Sequence, residues 1–379
     1  MEAIAQPSLG FTVLAFIFVL GLLVFVHEFG HYGMARLFGI KVDTFSVGFG
    51  REVLGLTDRR GTRWKVGWIP LGGYAKFAGD MNAASQPDPA LSSLPEAEKR
   101  QLFQFRPVWQ RALVVAAGPG INFLFAILLF AGFFMTFGHQ YTPPVAGRVV
   151  AESPAALAGI QAGDRFVAID GRQLNRFEDM MRLVALRPGE PMRIELERNG
   201  ARLLVTVIPQ TVTEADRFGN RYTKGRLGVE SGRPVVEKRA PVSALVWAVD
   251  ETVQMTRMMA ETLHQVITGR RTLDELGGPL KIAQFAGQSA SLGAASLIAF
   301  IALISINLGF VNLLPIPALD GGHLMLYAVE AIRRRPLEPK LQEWAFVSGF
   351  VLLISLMLLL TMNDLASFGL WEGLKSWAG

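Results

Sequence analysis

The chain of 379 residues contains no cysteine. Disulfides, thiol nucleophiles and thiolate metal sites are therefore excluded. Charge is also scarce. Only 18% of residues are Asp, Glu, Lys or Arg, where a soluble domain carries about a quarter. Histidine is limited to His27, His31, His139, His264 and His323, so any imidazole-based metal site must draw on these five. The net charge is a modest +5. The basic residues sit in short blocks beside apolar runs, the pattern of a membrane protein rather than of a nucleic-acid surface.

Long uncharged runs fill the space that charge leaves. Crossing hydrocarbon takes about 20 helical residues. Four runs meet that length: Ala3–Val26, Ala112–Gly138, a segment within Ile282–Leu319, and Trp344–Asn363. The first has no basic start and is followed directly by His27-Glu28, so it is not read as a cleavable signal peptide. The stretch from Tyr32 to Arg111 holds twelve basic and seven acidic residues, but it is too long to orient the chain by charge. The connection between the third and fourth runs is short and carries Arg333, Arg334, Arg335 and Lys340. It is expected to be cytoplasmic. Both termini and the connection from His139 to Lys281 then lie on the opposite side.

The first run ends in His27-Glu28-Phe29-Gly30-His31. Residues four apart share a helix face. His27 and His31 can therefore hold one metal ion, zinc being the ion such imidazoles suit, with Glu28 beside it to take a proton from water. A bland reading, polar residues at the membrane interface, fits less well, because ionisable groups at the end of an apolar helix are costly unless they work. A catalytic zinc takes a third protein ligand. Asp320 is the first charge after the 38 uncharged residues of Ile282–Leu319. The first and third spans run in the same direction, so Asp320 and the two histidines are expected at similar depth. His323 is a rival ligand, and a turn or capping role is open to Asp320. Pro315, Pro317, Gly321 and Gly322 predict irregular backbone here, which survives at membrane depth only where protein or water covers it.

With these residues on the page, a family resemblance becomes specific. His27-Glu28-Phe29-Gly30-His31 together with Asn312-Leu313-Leu314-Pro315-Ile316-Pro317-Ala318-Leu319-Asp320-Gly321-Gly322-His323 resembles the site-2 protease family of intramembrane metalloproteases, and most closely its bacterial RseP-like branch. The resemblance implies His27, His31 and Asp320 as ligands of one zinc ion per chain, with Glu28 as catalytic base. It favours Asp320 over His323. It suggests Asn307 and Asn312 as contacts to the substrate backbone, with interhelical hydrogen bonding as the alternative. The segment Arg63–Phe77, with Gly72 and Gly73, alternates like a β-hairpin. The family resemblance makes it a re-entrant, membrane-associated element whose edge pairs with unwound substrate. Gly118-Pro119-Gly120-Ile121-Asn122 reads as close helix packing, with Asn122 as polar lining.

Residues from about Val145 to Gln210 alternate strands with short helices around Asn199-Gly200, a hairpin turn, and resemble a bacterial PDZ domain. Pro241–Ile267 has the spacing of an amphipathic helix. The expected fold is a polytopic α-helical membrane protein with four transmembrane helices, a membrane-associated β-hairpin and one extracytoplasmic α/β PDZ domain. Its parts are a first span (1–31), a cytoplasmic or re-entrant region (32–107), a second span (108–138), the PDZ domain (144–210) and a linker with the amphipathic helix (211–281). A third span (289–322), a basic loop (323–342), a fourth span (343–363) and a tail (364–379) complete it. The implied activity is intramembrane zinc proteolysis of single-span proteins, such as anti-sigma factors or signal-peptide remnants, in the bacterial inner membrane. Expected partners are those substrates, the bilayer and a peptide or substrate domain at the PDZ domain; no nucleic acid is expected. The competing expectations are a PDZ-bearing scaffold or chaperone with structural zinc, and a metal transporter.

Overall fold

The computed structural model describes residues 7–79, 91, 93–215, 221–269, 277–335 and 337–368. The start of the first expected span, the residues 270–276 of the expected linker and the tail beyond 368 lie outside them. The chain divides into two units, Met1–Phe133 with Pro241–Gly379, and Phe134–Ala240.

In the first unit, α1 (Leu9–Leu37) is followed by two long strands, β1 (Val42–Thr57) and β2 (Arg63–Phe77), then the short α2 (Glu96–Lys99) and α3 (Val108–Thr136). After the second unit come α6 (Pro241–Ile267), α7 (Pro279–Ser291), α8 (Ala294–Asn312), α9 (Asp320–Arg333) and α10 (Pro339–Ser367). Among the described residues, four helices are long and apolar enough to cross a membrane: α1, α3, α8 and α10. The third is shorter than the expected 289–322. Residues up to Ser291 belong to α7, and Gly293 at φ 101° breaks the chain before α8 begins. The far end is also cut. Helix α8 stops at Asn312, and Asp320 opens a separate helix, so the expected basic loop 323–342 is largely helical.

The strands pair differently from a hairpin confined to 63–77. β2 pairs with β1, and each strand reverses on itself. Val42–Val47 lies antiparallel to Gly73–Phe77, while Thr44–Val47 steps along Arg63–Val66 in the same chain direction. Glu52–Thr57 adds outside Arg63–Gly67. Gly48 and Gly50, at φ 87° and 83°, make the first reversal, and Gly72 at 80° makes the second, backbone that side-chain-bearing residues avoid. Gly73–Phe77 thus forms one outer edge. The rings of Phe45 and Trp64 pack tilted, with centroids 4.4 Å apart, and meet Tyr32 of α1, joining the strands to a core with Ala35, Ile40, Phe77, Phe103 and Val114.

A second cluster joins α1, α3, α7 and α8 through Val19, Leu23, Ala286, Phe300 and Ile301, with Phe125 and Leu129 against them. Helix α6 covers Pro241–Ile267 and buries its small side chains, Ala244, Ala248 and Thr252. Its larger stripe, Val242, Leu245, Val246 and Val249, is exposed. Asp364 near the end of α10 is fully buried and accepts from the backbone N–H groups of Gly278, Leu280 and Lys281 at 2.9–3.1 Å. It caps the donors that the start of α7 leaves open.

The second unit contains β3 (His139–Tyr141), β4 (Ala146–Val149), α4 (Pro154–Leu157), β5 (Arg165–Ile169), β6 (Arg172–Gln173), α5 (Phe177–Ala185), β7 (Met192–Arg198) and β8 (Ala201–Val207). It continues through β9 (Gln210–Ala215), β10 (Arg221–Arg226), β11 (Val229–Ser231) and β12 (Val235–Glu237). The central sheet has the order β6-β5-β7-β8, and its core holds Phe166, Ile169, Phe177, Met180, Ile194 and Leu196. The unit extends past the expected end at 210, because β11 pairs back with β4 and β12 with β3.

Asp164 is buried here and bridges bidentately to Arg198 at 2.7 Å, while also accepting from the Gln161 N–H at 2.8 Å. The Arg198 hydrogen bonds hold its carboxyl below the ordinary carboxylate range. A depressed folded-state value means that the contribution is complete above the unfolded value of about 3.9 and is lost as pH falls through the lower folded one. Hydrogen exchange on the full chain, corrected for intrinsic rates, should show protection of the Met192–Val207 amides falling below about pH 4. Arg198→Met should lower that protection at neutral pH and flatten its acid dependence.

Candidate metal centre

Helix α1 runs unbroken through the His-Glu motif to Leu37, so His27 and His31 share one face, both buried. That face meets α3, where small residues let the helices close. A Cβ on Gly30 would collide with the Ala117 carbonyl, and a Cβ on Gly118 with the imidazole of His31. Gly118 is therefore the space that the His31 ring occupies. Pro119 within α3 also loosens this turn by removing a backbone donor.

Helix α3 then orients the rings. His31 Nδ1 lies 2.9 Å from the Val114 carbonyl oxygen. A carbonyl only accepts, so Nδ1 carries the proton and Nε2 presents a lone pair. His27 Nδ1 lies 3.0 Å from the side-chain amide of Asn122, which is fully buried. Asn122 is held in turn, since its backbone carbonyl accepts from the Ser305 hydroxyl of α8 at 2.8 Å.

Asp320 arrives from the other side. After α8 the chain turns tightly, with Ile316 N–H donating to the Leu314 carbonyl at 2.7 Å and Leu319 N–H to that of Ile316 at 3.0 Å. Ala318 sits at φ 81°, a costly conformation for a residue with a Cβ that the surrounding packing must enforce. Gly321 and Gly322 allow α9 to start directly against the Leu313–Pro317 backbone. Asp320 occupies the first turn of α9, where a carboxylate is favoured by the helix dipole.

The three side chains meet through single atoms. His27 Nε2 lies 3.2 Å from Asp320 Oδ2, His31 Nε2 lies 3.5 Å from the same oxygen, and the two Nε2 atoms are 3.3 Å apart. Donors at about 2.0–2.1 Å from a tetrahedral zinc are about 3.3–3.4 Å from one another, so the triangle has the size such an ion requires. Asp320 Oδ2 is moreover buried without a hydrogen-bond partner, a costly state that a cation would relieve. These three residues form a group able to hold a metal ion. Glu28 is partly buried next to His27 and within electrostatic range of all three.

The other expected site residues separate into near and far. Gly73 is near: a Cβ there would press on the Glu28 side chain and on Val24, which puts the outer edge of β2 beside Glu28. Gly72 packs under the Phe49 ring at the reversal. Asn312 donates to the Leu308 carbonyl of its own helix at 3.0 Å, and Asn307 is exposed. His323 is half-buried and lines a small cavity with Pro317, Gly322, Leu326 and Phe346, outside the group of three. The role of Gly118 was invisible in sequence, where a small residue in a helix signals only close approach.

Two histidines and a glutamate on a membrane-length helix, with a carboxylate brought to them at zinc-like spacing, fit the class of membrane-embedded metalloproteases. The family model described as Peptidase family M50 matches residues 15–356. The chain is 44% identical to "Putative zinc metalloprotease Atu1380" of Agrobacterium fabrum, covering 94% of this chain and 96% of that protein. It is 44% identical to "Putative zinc metalloprotease mll0638" of Mesorhizobium japonicum (93% and 98% covered) and 38% identical to "Metalloprotease MmpA" of Caulobacter vibrioides (96% and 98% covered). The chain belongs to peptidase family M50, the site-2 protease family of membrane metalloproteases.

Gly118→Ala should leave the helices folded while displacing the His31 ring. Metal affinity, measured by chelator competition, is expected to fall by about 10–100-fold. Unchanged affinity would show that the ring has room that the structure does not give it.

Proposed function

We propose that the chain is a zinc endopeptidase that hydrolyses peptide bonds within the membrane-spanning segments of single-span proteins. The observation that carries this reading is the donor triangle of His27, His31 and Asp320 with Glu28 at its side. One zinc ion would be held by those three residues. When bound, it supplies Lewis acidity, acidifying water and polarising a peptide carbonyl. Glu28 takes the proton of the attacking water and returns it to the leaving amine.

A helical substrate hides its carbonyls in its own hydrogen bonds. The Gly73–Phe77 edge, lying beside Glu28, offers replacement bonds to an extended segment. The β1–β2 element serves as the membrane-associated hairpin. Its apolar side chains Val53, Leu54, Leu56 and Trp68 are exposed, which suits contact with lipid. Asn307 and Asn312 serve as contacts to the substrate backbone. The basic residues Arg333, Arg334, Arg335 and Lys340 support a cytoplasmic α9–α10 connection. The second unit and both termini then lie outside the cytoplasm, across the bacterial inner membrane. That unit is a PDZ domain. It carries a groove of about 540 Å³ lined by Val150, Met180, Val184 and Leu227 together with Lys224 and Arg226, which suits a peptide. The substrates are of the anti-sigma-factor or signal-peptide-remnant kind.

The test is cleavage of a single-span reporter by full-length protein in detergent. Wild type should cleave. Glu28→Gln should retain zinc at one ion per chain and lose cleavage by at least about a thousandfold. Cleavage by Glu28→Gln at the wild-type rate would remove Glu28 as the base. Zinc retained with no cleavage by any form on any reporter would favour a scaffold with structural zinc.

A further inference from the structure

We infer that Asn122 is a positioning residue for His27. Its side-chain carbonyl accepts a hydrogen bond from the Nδ1–H and thereby commits Nε2 to the metal. This rests on the metal centre proposed above.

The argument begins with two buried oxygens that lack hydrogen-bond partners, Asp320 Oδ2 and Asn122 Oδ1. His27 lies between them. Its Nε2 is 3.2 Å from Asp320 Oδ2, and its Nδ1 is 3.0 Å from Asn122 Nδ2. In that arrangement the amide NH₂ donates to Nδ1, so the ring proton sits on Nε2 and points into the triangle. A half-turn of the amide exchanges its nitrogen and oxygen with almost no change of shape. Oδ1 then faces Nδ1, accepts a hydrogen bond from its N–H and is no longer orphaned. Nε2 is left with a lone pair aimed at the same point as that of His31. A cation there also satisfies Asp320 Oδ2. Both orphaned oxygens are thus resolved by one rotation and one ion.

The surroundings suit this role. Asn122 is fully buried, so no water competes for its amide. Its backbone is pinned by Ser305, and the other ring, His31, already uses the same logic with the Val114 carbonyl. One ligand is oriented by a backbone carbonyl and the other by an amide, and both come from the same stretch of α3. Outer-shell acceptors of this kind fix the tautomer and raise the basicity of a ligating histidine.

Full-length protein in detergent, stripped of metal, is titrated with zinc against a chromophoric chelator. Asn122→Leu, close in volume and unable to accept, should bind zinc about 10–100-fold more weakly than wild type. Asn122→Asp can only accept and should bind at least as tightly as wild type. Nitrogen NMR of labelled histidines gives a readout independent of affinity and of activity: zinc-loaded wild type should show His27 protonated at Nδ1 and ligated through Nε2. Wild-type affinity in Asn122→Leu would overturn the inference. Asn122→Asp binding as weakly as Asn122→Leu would also overturn it, since that is the pattern of an amide that donates. If Asn122→Leu fails to fold, Asn122→Asp and the NMR of the wild type decide, and ligation of His27 through Nδ1 counts against the role. Failure of the wild type itself to bind zinc would overturn the metal centre instead.

Discussion

Three side chains able to hold a metal ion and a glutamate are held among helices built to face lipid, and that cost organises this part of the molecule. An unsatisfied polar group in hydrocarbon costs several kcal/mol, and an unpaired ionised one costs more. The helices must therefore come close enough to shield the group, yet leave room for two imidazoles. Gly30 against Ala117 provides the approach, and Gly118 provides the room. Gly309 on α8 continues the same packing against Phe123 and the Pro119 carbonyl of α3. Helix α3 contributes none of the three side chains, yet it shapes the site they form. It supplies the Val114 carbonyl, the Asn122 amide and the space for a ring.

What could be read from the sequence follows from how local each signal is. His27, Glu28 and His31 stand out because charge and imidazole are rare in apolar runs and because a four-residue spacing has one meaning on a helix. Asp320 stands out because it ends a 38-residue uncharged stretch, and the structure brings it to the histidines. The same stretch misleads about helix length. It merges α7 and α8, since Gly293 at φ 101° breaks the chain without any change in polarity. Non-local pairing was hidden as well. Val229 pairs with Val149, and nothing near either residue announces the other, so the second unit extends beyond its expected end. The alternation of Arg63–Phe77 identifies extended backbone. Its partner, Val42–Thr57, becomes evident only once Phe45 and Trp64 are seen to share a core with Tyr32.

The placement of Asp320 is less direct than that of the histidines. His27 and His31 are carried by a continuous helix, whereas Asp320 is carried by a break. The Leu313–Leu319 turn has a residue at positive φ and few internal hydrogen bonds, so its own conformation is weakly determined. External contacts supply what it lacks. Gly349 of α10 lies against the Pro317 carbonyl so closely that a Cβ would collide. On the other side, Glu330 of α9 pairs with Arg111 of α3 at 2.6 Å, both largely buried, and Arg111 also lies over the Tyr327 ring at 4.8 Å. Helix α9 is thus held one turn from its far end by an ion pair to α3, while its near end carries Asp320.

Helix α10 completes this arrangement from a sparse set of contacts. Most of its apolar side chains are exposed on the protein surface, Phe350, Val351, Leu352 and Leu358 among them, the expected state of a helix that faces lipid. Such a helix gains little from packing, and its position depends on a few specific contacts. One is the close approach of Gly349 to Pro317. The other is Asp364, whose carboxylate accepts three backbone N–H groups at the start of α7. Helix α7 packs on α1 through Gly287 and Thr12. A chain of contacts therefore runs from α1 through α7 and α10 to the turn that presents Asp320, and a second runs from α1 through α3 to α9. Both start on the helix that carries the histidines. Asp320 is thereby referred twice to the two histidines, and contacts along both chains hold together a site assembled from distant parts of the sequence.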